Sequence, residues 1–188
     1  YNDNLSILDI GTASTLDKNH NTILQKLDNN FNITCLSNQN CNLLKEEYRN
    51  VKSFIQADAL ENNLENENFD VVYSSATIEH VGSIERQTAF VSECLRLSKK
   101  YVFITTPNRF FPLDFHTKIP FIHFLPKKIH RKILKLLGFH FYSLESNLNL
   151  MSKNEIFQIC KKLDLKKYEI IEYKVFNFTS NFLILIKK

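Results

Sequence analysis

A chain of 188 residues with 44% hydrophobic content is long enough for one domain with its own core, and no Pro/Gly/Ser tract marks a linker. A net charge of +4 with 23% charged residues is too mild to argue for a nucleic-acid partner. No run approaches the ~20 apolar residues of a membrane span and no signal-type opening is present, so the chain is expected to be soluble or attached to a membrane surface.

Short apolar, β-branched runs recur at Leu5–Ile10, Asn32–Leu36, Val51–Gln56, Phe69–Ser74 and Tyr101–Thr106, and each reads as a buried strand. Ile84, Thr88, Val91 and Leu95 recur at helical spacing within Ser83–Leu97. Ser83 is placed to cap that helix, and Glu85 suits the positive end of its dipole. Alternating strands and helices predict a parallel sheet covered on both faces.

Residues 107–150 break this rhythm. Pro107-Asn108-Arg109-Phe110-Phe111-Pro112 leaves the fifth strand, an aromatic-rich stretch runs to Pro126, and a helix Lys127–Leu137 is stopped by Gly138. The segment reads as an insertion or lid on the substrate side of one domain spanning 1–188, over the carboxyl ends of the strands where open α/β sheets bind ligands. Met151 to Ile156 then reads as a capping box, Ser152 with Glu155, with a Met151/Ile156 staple. Lys167–Val175 and Asn181–Lys187, linked by Phe176–Ser180, predict a terminal antiparallel hairpin. Cys35, Cys41, Cys94 and Cys160 show no CxxC pairing; Cys35, Cys94 and Cys160 lie in apolar periodic segments and are expected to be buried free thiols, in a reducing cytoplasm.

Three strand ends carry the chemistry. Leu8-Asp9-Ile10-Gly11-Thr12 is a strand entering a Gly turn, where backbone can approach a ligand closely; alone, it is equally an ordinary turn. Asp58, in Ala57-Asp58-Ala59, can accept a hydrogen bond from an exocyclic amine or cap the next segment. Phe69-Asp70-Val71-Val72-Tyr73-Ser74-Ser75-Ala76 ends beside small residues that admit a flat ring, and Ile78-Glu79-His80-Val81 follows.

In this order, Leu8–Gly11, Ala57–Ala59, Phe69–Val72, Ile78–Val81 and Thr106-Pro107-Asn108-Arg109 resemble the class I S-adenosylmethionine (SAM)-dependent methyltransferases, nearest the ubiquinone/menaquinone-biosynthesis type. The resemblance implies a Rossmann-like α/β sheet, mostly parallel and seven-stranded, closed by the C-terminal antiparallel hairpin. It implies SAM as cofactor, with Asp9, Gly11 and Thr12 at the methionine part, Asp58 and Ala59 at adenine, and Ser75 and Ala76 as the floor. Two departures stand out. The glycine-rich turn keeps one glycine in Gly11-Thr12-Ala13-Ser14-Thr15, and the usual ribose acid is replaced in Leu36-Ser37-Asn38-Gln39, leaving Asn38 as a neutral partner.

Methyl transfer from a sulfonium needs a positioned acceptor and, for a hydroxyl or amine, a proton acceptor. His80, His116 and Asp114 are the catalytic candidates, each with a structural hydrogen-bonding role as the alternative. No metal is expected: Glu79, His80 and His116 make only a partial ligand set, and the position three before Glu79 is Ala76.

On the helix of the insertion, Ile129, Ile133, Leu136 and Leu137 form one face and Lys127, Lys128, Arg131, Lys132 and Lys135 the other. One reading packs the apolar face on the domain with the lysines outward; the other lays a basic amphipathic helix, 127–137, on anionic lipid as a peripheral membrane contact. Nucleic acid is not expected, because no stacking aromatics interleave the lysines. The leading reading is therefore a SAM-dependent methyltransferase for a small-molecule or lipid-linked acceptor. A non-catalytic domain of the same fold, acting as a binding or scaffold module, is the alternative. A nicotinamide oxidoreductase would need a fingerprint that is missing.

Overall fold

A computed structural model describes residues 5–17, 20–28 and 30–188. The strands are β1 Ser6–Ile10, β2 Asn32–Ser37, β3 Val51–Gln56, β4 Phe69–Ser75, β5 Ser98–Pro107, β6 Tyr168–Val175 and β7 Phe178–Lys187. The helices are α1 Thr22–Lys26, α2 Asn42–Glu47, α3 Ile84–Leu97, α4 Lys127–Leu136 and α5 Lys153–Lys162, with short 3-10 turns at Ile78–His80 and Ile122–Phe124. One seven-stranded sheet has the order β3-β2-β1-β4-β5-β7-β6. The expected architecture is present, with β1 parallel to both β2 and β4 and β2 parallel to β3. Strand order reverses between β1 and β4, and ligands of open α/β sheets bind in the crevice outside the carboxyl ends at such a point.

The chain divides into two compact units, Tyr1–Ser75 with Ser92–Phe103 and Ile186–Lys188, and Ala76–Val91 with Ile104–Leu185. In the first, Ile7, Ile33, Cys35 and Val51 of the strands pack with Leu24 of α1 and Leu44 of α2. Helices of five and six residues are too short to persist on propensity, so those two leucines hold them in place. Buried Asn50 donates through Nδ2 to the carbonyls of Leu24 and Leu27, both 2.9 Å away, satisfying the end of α1. All four cysteines are free and buried, and burial pushes the Cys35 thiol up to about 12.

In the second unit the capping box of α5 forms: Glu155 N donates to Ser152 Oγ at 3.3 Å and Ser152 N to Glu155 Oε2 at 2.8 Å. The hairpin is tighter than its five-residue link suggested. Only Phe176 and Asn177 separate β6 from β7, with φ of 48° and 66°. Two consecutive left-handed residues are what a two-residue hairpin turn matching strand twist demands.

Candidate active site

The turn after β1, where the cofactor is expected, lies in the first unit and is stitched by side chains rather than by glycines. Gly11 has φ 86°, and its N–H donates to Leu36 O at 2.8 Å. Asn21, which the sequence reading did not single out, accepts from Ala13 N through Oδ1 at 2.9 Å. Its Nδ2 donates to Ala13 O at 2.8 Å and Thr15 O at 3.0 Å. One amide side chain thus supplies the rigidity that further glycine turns would otherwise provide. The only advance signal was an Asn six residues beyond Thr15, which spacing alone does not mark.

Asp9 is buried, and Thr12 Oγ1 lies 2.9 Å from its Oδ2. Burial pushes its carboxyl up to about 7, against the lowering effect of that hydroxyl. The amides of Gly11 and Ala13 are already donated, which leaves the Asp9 carboxyl as the turn's ionisable group. That suits a cation. Asn38 and Asp58 are exposed, and Asp58 Oδ1 accepts from Leu60 N at 2.8 Å within its own turn. Ala59 is partly buried next to it, and Ser75 is exposed at the end of β4.

Within the second unit, Ala76 begins the segment with φ 51°, its N–H donating to Thr105 O at 3.0 Å. Glu79, His80, His116 and Asp114 come together there from sequence positions up to 37 apart. His80 Nδ1 is 2.6 Å from Asn147 O, a pure acceptor, so that nitrogen carries the proton. His116 Nδ1 is 3.2 Å from Asp114 Oδ1, which also accepts from His116 N at 3.0 Å. Thr117 Oγ1 donates to Asp114 Oδ2 at 2.6 Å. Although burial alone would raise it, these bonds from His116 and Thr117 hold the Asp114 carboxyl well below the usual range. The free ring nitrogens then face each other: His80 Nε2 and His116 Nε2 are 3.2 Å apart, with the rings inclined at 76°.

Glu79 is fully buried. Oε2 accepts from Thr106 Oγ1 at 3.0 Å, while Oε1 has no partner. Burial pushes its carboxyl up, against the pull of His80 and His116. The turn carrying these groups is pinned by residues that sequence reasoning passed over: Asn149 N donates to Glu79 O at 2.7 Å, and Gln87 Nε2 donates to Ile78 O at 3.2 Å and Asn149 O at 2.8 Å. Arg109 likewise serves the backbone, donating to His123 O at 3.1 Å and Leu125 O at 2.6 Å.

The helix of the insertion departs from the reading that packs its apolar face on the domain. Its inward stripe is His130 and Leu134, both buried, flanked by Lys127 and Arg131. Lys127 pairs with Glu155 at 2.6 Å and Arg131 with Glu145 at 2.7 Å, and both reach Asn149 Oδ1. These acids draw two cations inward, and most of the apolar face turns outward, with Ile133 half-buried. Ile129 is 47% exposed, Leu136 86% and Leu137 55%, beside exposed Lys128, Lys132 and Lys135.

Comparison with known proteins agrees with this architecture. The profile of the family described as "Methyltransferase domain" matches residues 8–104, half of the chain. A SAM-dependent methyltransferase from Methanosarcina mazei superposes with a TM-score of 0.63 at 14% identity, over 100% of this chain and 94% of that one. One from Aquifex aeolicus gives 0.61 at 13%, over 97% and 81%. Magnesium protoporphyrin IX methyltransferase from Synechocystis PCC 6803, solved with bound SAH, gives 0.59 at 13%, over 98% and 74%. Among curated proteins no match is found. The chain belongs to the methyltransferase-domain family, on the class I fold of SAM-dependent enzymes.

Proposed function

We propose that this methyltransferase moves the methyl group of SAM to an oxygen or nitrogen of a lipid-linked acceptor while docked on the cytoplasmic face of an anionic membrane. The observation that carries the reading is the outward apolar face of α4. A soluble domain gains nothing by showing Ile129 and Leu136 to water while Lys127 and Arg131 turn inward. Phe121, 59% exposed, and Phe124 extend the surface, with their rings 5.8 Å apart. Apolar residues that enter the acyl boundary, flanked by lysines for phosphate headgroups, define an interfacial helix. Each such lysine adds about 1 kcal/mol on an anionic surface.

The reading sets Asp9 against the methionine ammonium of SAM. In the transfer the S–CH3 bond breaks and its electron pair stays on sulfur, leaving neutral S-adenosylhomocysteine. The acceptor's lone pair forms the new bond, and its proton leaves through the array of His80, His116 and Asp114. A scaffold role remains the second reading, favoured by the internally spent amides of Gly11 and Ala13. Calorimetry with SAM separates the two: no binding at millimolar ligand selects the scaffold.

Co-sedimentation with phosphatidylcholine vesicles, with and without phosphatidylglycerol, tests the docking. Binding is expected to the anionic vesicles only, to fall with salt, and to drop by roughly tenfold or more in the Ile129→Glu/Leu136→Glu variant. Equal behaviour toward both vesicle types, or no loss in the variant, sinks it.

A further inference from the structure

We infer that Glu79, His80 and His116 form a divalent-cation site of the zinc class, with three protein ligands and an open position. The inference rests on the reading of this corner as the acceptor end of the enzyme, deepens it, and reverses the sequence-based expectation of no metal.

The two imidazoles decide the matter first. His80 gives its Nδ1 proton to Asn147 O, and His116 gives its own to Asp114. In their neutral forms both Nε2 atoms therefore present lone pairs, and these point at each other across 3.2 Å. Two lone pairs at that distance repel unless a positive charge lies between or beside them. A single proton would satisfy the pair.

It would not satisfy Glu79. That carboxylate is fully buried, one oxygen is unpartnered, and a ligand atom of each of the three residues lies within 4.8 Å of the other two. A fully buried carboxyl with an unpartnered oxygen is costly for a fold to carry. A dication answers all three at once. Two nitrogens 3.2 Å apart, each ~2.0–2.1 Å from one ion, subtend about 100° at it, between octahedral and tetrahedral values.

The surroundings have the second layer such sites use. Metal-bound histidines give their other ring N–H to a carboxylate or carbonyl, which fixes tautomer and ring orientation. Asp114 and Asn147 hold those places here, and Thr106 orients the carboxylate. Two imidazoles and a carboxylate suit zinc and its first-row neighbours better than magnesium. Three protein ligands leave a position for the acceptor's oxygen or nitrogen. The cation would lower the pKa of a hydroxyl bound there; with both Nε2 atoms on the metal, the proton then passes to water in place of the imidazole route.

The test is a Co2+ titration of the full chain, stripped with chelator, followed by visible absorption and by competition with Zn2+. One equivalent is expected to bind and to raise the melting temperature. His80→Ala and His116→Ala should abolish the absorption band, and Asp114→Asn should weaken binding by roughly 10–100-fold. His140→Ala, an exposed histidine outside the cluster, should leave it unchanged. Absence of the band in folded wild-type protein, or equal affinity in wild type and Asp114→Asn, overturns the inference. Should an alanine variant fail to fold, the Asp114→Asn comparison and the wild-type melting shift still decide it. Vesicle and SAM binding are read separately, so metal binding without them spares this site and defeats the proposed function, and the reverse outcome does the opposite.

Discussion

The two units treat their buried polar groups differently. In the first, Asn21 closes the cofactor turn on itself, Thr12 meets Asp9, and Asn50 caps α1. Among the described residues, the buried side-chain atoms without a partner are Asn50 Oδ1 in the first unit and Glu79 Oε1, Gln87 Oε1, His123 Nδ1 and His130 Nε2 in the second. Native interiors satisfy nearly all such groups, so unpaired ones concentrated in one unit mark where something outside the chain is received. The first unit leaves one such atom open, Asn50 Oδ1; the second leaves four.

The packing of α4 gives the largest expected effect. Leu134 is fully buried, whereas Leu136, two residues on, is 86% exposed. Leu134→Ala should cost about 2–5 kcal/mol in denaturant unfolding, and Leu136→Ala close to nothing. Equal losses would show that the helix packs on its apolar face after all, and would remove the lipid-docking surface with it.

That orientation was not legible in the sequence. The hydrophobic pattern of Lys127–Leu137 located the helix to within a residue, because Pro126 and Gly138 punctuate it. Its rotation depended on Glu145 and Glu155, which lie outside the helix and turn Lys127 and Arg131 inward. Strands β1, β2 and β4 were legible because their apolar runs are largely buried in a sheet and need no distant partner; β3, at the edge with only Val51 buried, was legible from its β-branched and aromatic residues. The start of β5 at Ser98 rather than Tyr101 was not, since Lys99 and Lys100 look like a loop. His80, His116 and Asp114 were visible as chemistry, but their convergence was not. It depends on the Asn149 and Gln87 side chains, which bond backbone far away in sequence, and on the Asn147 carbonyl that accepts from the His80 ring, none of which leaves a local pattern.

Asn21 tests whether the cofactor turn is finished as described. Asn21→Ala removes three hydrogen bonds to Ala13 and Thr15 and should cost about 1–3 kcal/mol of stability. SAM affinity should fall with it, because the turn would have to be ordered by the ligand. Stability lost with SAM affinity intact would show that the turn is scaffold only.

Asp9, in the first unit, is a buried acid whose pKa is raised to about 7. A raised acid binds its proton more tightly in the folded state, so its contribution to stability falls as pH rises from about 4 to about 7 and is level above. SAM's ammonium favours the carboxylate, so binding should expel the proton. Affinity should weaken by about tenfold per pH unit below 7 and be flat above. Calorimetry at pH 6 and pH 8, in buffers of different ionisation enthalpy, reads both the affinity change and the released proton. A pH-independent affinity would remove Asp9 from the cofactor site.

Asp70 supplies the opposite case and the smallest effect. It accepts from Ser6 N at 3.1 Å and Ser6 Oγ at 2.9 Å and pairs with Lys100 at 2.8 Å. Those partners, Lys100 foremost, lower its carboxyl to about 2. A lowered acid contributes stability in full above the unfolded value near 4, and that contribution is lost as pH falls through about 2. Lys100 is half exposed, so solvent screening limits the sum to about 1 kcal/mol. In acid unfolding, Asp70→Asn should flatten the stability loss between pH 4 and pH 2 and leave SAM affinity untouched. Asp9→Asn should do the reverse. If the two substitutions behaved alike, the division between a carboxylate held down by partners for the fold and one held up by burial for a ligand would collapse.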